Sequence, residues 1–150
     1  MLRSTETLLV SAFLLAVLSV PLAWLTNHTR IHNASDLNDQ VWVHTFTHLY
    51  GTNGSLNVYL TIPFWFISVL ICIIATLFAA DNRRLLTVPI PIAYGLVVAT
   101  FLLLLMVPFF TYASNGLMRV DTGWFLAVAG TVLLTMAYWR SNRCVPQEGG

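Results

Sequence analysis

The sequence predicts an all-α membrane protein: a four-transmembrane-helix bundle with a small β-hairpin in the first extracytoplasmic loop. Three observations carry that prediction. Hydrophobic residues make up 57% of the 150-residue chain and charged residues only 9%, whereas soluble domains carry about 25% charge. Four apolar stretches, at about 8–25, 60–80, 88–110 and 123–139, approach the roughly 20 residues that cross a bilayer as helix. A fifth stretch, residues 41–50, alternates with period two instead. The length suits one integral membrane domain over residues 1–150. The net charge of +1, with seven Arg and no Lys, offers no basic excess for nucleic acid.

The four stretches are helical because a backbone in lipid must satisfy its own hydrogen bonds. Pro21 closes the first, Pro63 opens the second, and Pro89 and Pro91 open the third, which Pro108 closes. Trp24, Trp65, Trp124 and Trp139 lie near the ends, where an aromatic belt belongs. The first stretch is expected to be a retained anchor rather than a cleaved leader, since it exceeds the usual apolar length of a signal peptide. Arg3, Arg83, Arg84, Arg140 and Arg143 fall on one side of a four-span layout, and Arg30 and Arg119 on the other. The positive-inside rule then puts both termini in the cytoplasm of a multi-pass protein of the cell membrane.

Outside lie a long loop, 26–59, and a short one near 111–122. The long loop holds three Asn-x-Ser/Thr sequons, at Asn27, Asn33 and Asn53, which are candidates for glycosylation. Within 41–50, the β-branched Val41, Val43, Thr45 and Thr47 alternate with Trp42, His44, Phe46, His48 and Tyr50. That pattern favours a strand, with a helix as the alternative. Residues 51–55 are rich in turn formers, and 56–60 are expected to return as the second strand of the hairpin. Trp42, Phe46 and Tyr50 then share a face suited to contact with another protein.

All four histidines lie in this loop. His28 and His32, like His44 and His48, are four apart, and imidazole is a common ligand for zinc and copper. They are the candidate metal ligands of a metal-binding or redox alternative. No zincin motif and no cysteine accompany them, so no cofactor is expected. Cys72 lies within the second span and Cys144 beyond the fourth, too far apart for a disulfide. There is no phosphate loop, nucleophile elbow or carboxylate pair, and a non-enzyme is expected.

Small residues recur at helical spacing: Ala12, Ala16, Ser19 and Ala23 in the first span, Ser68, Cys72 and Thr76 in the second, Gly95 and Ala99 in the third, Gly123, Ala127 and Thr131 in the fourth. Close helix packing in lipid depends on such residues. A pore of several copies would instead need polar faces, for which Thr76, Thr100, Thr131 and Thr135 are the material. In outline, four spans with a long, sheet-forming first outer loop resemble the claudin-like tetraspan proteins. That family's paired loop cysteines are missing, because residues 26–60 contain no Cys. The expected partners are the lipid bilayer and other membrane proteins or further copies of the chain. The expected function is that of a structural, scaffolding or accessory subunit.

Overall fold

The computed structural model describes residues 2–32, 42–57, 61–83, 85, 87–115 and 118–142. Among these residues four helices form the body: α1 (Leu2–Ser19), α2 (Phe64–Asn82), α3 (Ile90–Asn115) and α4 (Thr122–Asn142). Five strands lie at one end: β1 (Ala23–His32), β2 (Trp42–Tyr50), β3 (Ser55–Asn57), β4 (Thr61–Pro63) and β5 (Met118–Val120). α1 packs chiefly on α4 and α2, and α3 packs on α2 and α4.

Helices α2, α3 and α4 are long and apolar enough to cross a membrane. α1 is not: its apolar part is Ser4–Ser19, about 24 Å at 1.5 Å per residue. The expected first span is displaced. The helix starts at Leu2, and it stops at Ser19 because Pro21 has no N–H to continue the ladder. Val20 N–H bonds back to Val17 and Leu22 N–H to Ser19, closing a tight last turn. Residues 23–25, expected in the helix, open β1 instead. Glu6, now inside α1, accepts Arg83 Nε–H at 3.1 Å from the far end of α2.

The hairpin exists, but its partners differ from the expected ones. β2 pairs antiparallel with β1, not with the segment that follows it. β3 and β4 pair with each other, Leu56 opposite Ile62. β5, from the connection before α4, adds to the other side of β1, giving the order β2-β1-β5. The ladder runs from His32 opposite Trp42 to Leu25 opposite Leu49, then jumps to Ala23 opposite Tyr50. Trp24 is thus a β-bulge. An unbroken strand sends neighbours to opposite faces, but the bulge turns both Trp24 and Leu25 inward, where both are buried.

The bundle core follows the small-residue stripes in part. Thr5, Leu9, Ala12, Ala16 and Ser19 make the buried seam of α1. It meets α4 closely: a β-carbon on Gly130 would lie 3.2 Å from the Ala12 carbonyl oxygen. Ser68, Gly123, Ala127 and Thr131 are buried. Cys72 is half-buried and Thr76 exposed. Gly95 and Ala99 lie on the bare face of α3, with nothing within 4 Å of a β-carbon at Gly95. The third helix packs inward by Ala93, Val97, Thr100, Leu104 and Val107 instead.

Pro108 does not end the third helix but lies inside it. Proline gives no N–H to the carbonyl four residues back, here that of Leu104. Trp124 Nε1–H from α4 donates to that oxygen at 2.9 Å. The break in one helix is filled by a side chain of its neighbour, so Trp124 is tied inward rather than free in an interfacial belt.

Candidate functional site

The sheet rests on the bundle through an aromatic joint. Trp24 is fully buried and stacks on Phe64 at the start of α2, ring centroids 5.1 Å apart and planes 12° from parallel. Its Nε1–H donates at 2.8 Å to the Ser19 carbonyl at the end of α1, which also accepts Leu22 N–H at 3.3 Å. Glycine makes room for the pair. A β-carbon at Gly123 would sit 2.5 Å from Trp24 Cδ1, and one at Gly51 would sit 2.5 Å from the Val20 oxygen and 3.0 Å from Trp24 Nε1. Gly54 closes in the same way over the Phe64 ring. Just below, Ser19 Oγ donates to the Ala16 carbonyl at 2.7 Å. A hydroxyl has one proton, so in the 2.9 Å bond between Ser19 and Ser68 it is Ser68 that donates. The first strand, both glycine turns and the starts of α2 and α4 are locked at one point.

On the sheet, Thr26 of β1 stands opposite His48 of β2 and Arg119 of β5. Thr26 Oγ1–H donates to Asp121 Oδ2 at 2.7 Å, and His48 Nδ1 lies 3.0 Å from the same Thr26 oxygen. Having given its proton to the carboxylate, Thr26 accepts from His48. Nδ1 therefore carries a hydrogen. Asp121 Oδ1 also accepts from Thr122 N–H at 2.7 Å and from the Thr122 hydroxyl at 3.2 Å. The Thr26 bond first, and then the Thr122 amide, hold the Asp121 carboxyl below the ordinary carboxylate range. Its position just before α4 is that of an N-cap, where an acidic side chain meets the positive helix end.

The candidate residues of the sequence fall around this row unequally. Tyr50 is exposed, as is His48. Trp42 and Phe46 are placed as positions of β2, opposite His32 and His28, and His44 is opposite Arg30; the side chains of these residues lie outside what is described. No histidine is the direct cross-strand partner of another. Residues four apart on a strand are separated by about 13 Å, so neither His28 with His32 nor His44 with His48 shares one helical turn. Among the described residues no three His, Cys, Asp or Glu gather as a metal site. Of the sequons, Asn27 is in β1 and Asn33 lies outside the described residues. Asn53 is exposed in a turn, its Oδ1 accepting Tyr50 N–H at 2.8 Å. Cys144 also lies outside the described residues.

Two members of the row, Thr26 and Asp121, carried no signal in the sequence, since each depends on β1 pairing with a strand almost a hundred residues away. The four threonines that a pore would need turn their hydroxyl protons to their own helices. Thr76, Thr100, Thr131 and Thr135 each donate to the carbonyl four residues back in their own helix.

Comparison with protein-family models, with characterised proteins and with solved structures finds no match for this chain.

Proposed function

We infer that the protein is a non-enzymatic, multi-pass membrane component that acts by contact with other proteins, as a structural, scaffolding or accessory subunit. The three long apolar helices support residence in the bilayer. α1 completes a four-span layout with both termini cytoplasmic. That layout is supported by its packing along α4 and α2 and by the arginine distribution.

One observation carries the contact reading. β2 is the edge of its sheet: among the described residues it pairs only with β1. Natural edge strands are protected by charge, proline or brevity. β2 spans nine residues, from Trp42 to Tyr50, and contains neither proline nor Asp, Glu, Lys or Arg. Such an edge suits the addition of a strand from another chain, with Trp42, Phe46 and Tyr50 as its side-chain readers.

The test is crosslinking in native membranes followed by purification. Trp42→Ala and Thr45→Lys should each lower the crosslinked complex severalfold while leaving the amount of folded protein unchanged. Undiminished crosslinking in both variants would refute the edge as the contact. Near-stoichiometric zinc or copper in the purified protein, lost in a His44→Ala, His48→Ala double variant, would replace this reading with a metal-binding one.

A further inference from the structure

Between α1 and α2, on the outside of the bundle, runs an open groove of about 220 Å³. The α2 side is lined by small residues, Ala75, Thr76 and Ala79, and the α1 side by Val10, Phe13 and Leu14. The substitution of small for large on α2 is what hollows it. Thr76 adds no polarity, because its hydroxyl donates at 2.8 Å to the Cys72 carbonyl of its own helix. From Thr76 to Arg83 the groove follows α2 for about 10 Å. At that end the chemistry changes: Glu6 and Arg83 line the mouth. Arg83 gives its Nε–H to Glu6, yet its side chain is 64% exposed. Guanidinium has five N–H donors in a planar fork, and this contact uses one.

We propose that the groove holds one phospholipid, its acyl chain against Ala75, Thr76 and Ala79 and its phosphate on the outer edge of the Arg83 guanidinium. The order of chemistry along the groove, apolar trough and then cation at the helix end, is the order along a phospholipid. Arginine suits phosphate through paired N–H donors. A helix from a second copy fits less well, since it would bring apolar side chains against the Arg83–Glu6 pair and strip it of solvent.

The experiment is native mass spectrometry of the full chain in mild detergent, titrated with phosphatidylglycerol or with diacylglycerol of the same chains. The wild type is expected to keep one phosphatidylglycerol under activation that strips the rest, and to lose diacylglycerol. Arg83→Gln should weaken retention about tenfold, the loss of a charge-assisted hydrogen bond. Ala79→Leu, or Val10→Trp from the opposite wall if the first variant folds poorly, should weaken it comparably by filling the trough. Glu6→Gln should hold the lipid as well as or better than the wild type, since it removes a competing carboxylate. Equal retention of diacylglycerol, unchanged retention in the groove-filling variants, or a loss in Glu6→Gln matching that in Arg83→Gln would each overturn the proposal. So would a lipid-free dimer as the native species.

Discussion

At Gly123 the side chain that is missing matters more than most that are present. A β-carbon there meets the Trp24 ring and the Ala23 carbonyl, so Gly123→Leu should destabilise the fold by about 1–3 kcal/mol or more, the usual range for overpacking. Gly95→Leu is the control, because its β-carbon meets nothing. Thermal unfolding in detergent checks the pair, and equal losses would contradict the packing described. Asp121 gives a second prediction, in pH. Its carboxyl is held below the ordinary value in the folded state. Its stabilisation is therefore complete above the unfolded carboxylate value, near pH 3.9, and lost as pH falls through the lower folded value. Asp121→Ala should reduce stability at neutral pH by about 0.5–2 kcal/mol, as for a lost N-cap. It should also flatten the acid limb of a melting temperature–pH profile. A variant with the wild-type slope would show that another group sets that limb.

The helices were the legible elements, because an apolar run of 20 residues announces itself by composition alone. Their ends were less so. Pro108 reads as a terminator until Trp124 is seen to occupy the carbonyl that it frees, a contact between residues on different helices. That relation yields a coupling experiment. Trp124→Phe alone should cost about 1 kcal/mol, the worth of one hydrogen bond. Pro108→Ala supplies an N–H for the Leu104 oxygen, so Trp124→Phe should cost less in that background. Additive effects in the double-mutant cycle would deny the compensation. The strands were the least legible. β2 stood out through its alternation, but β1 is masked by the apolar residues before it and by the bulge at Trp24. β5 has three residues, too few to display any period. Hence the sequence indicates strand character in 41–50 while leaving open what pairs with it, and with it the whole row of His48, Thr26 and Asp121.

For the molecule as a whole, the four-span layout proposed above makes one clear prediction. Tags at residues 1 and 150 should both resist external protease in intact cells, and digestion of either would remove a span or invert the topology. Helix α1 is the helix to watch, since it alone falls short of the length that crosses a bilayer, with Glu6 near one end held to Arg83. Last, the covered tryptophan sets a timetable for biosynthesis. Trp24 leaves the ribosome early, but the glycine that seals it is Gly123, at the head of the last helix. Its strand likewise waits for Met118–Val120 to fill one side. Until the final helix is in place, the indole is covered only on the side of Phe64 and the Gly51 turn, and β1 lacks one of its two neighbours. A chain cut short before α4 would therefore lack both the close cover of Trp24 at Gly123 and the third strand of the sheet.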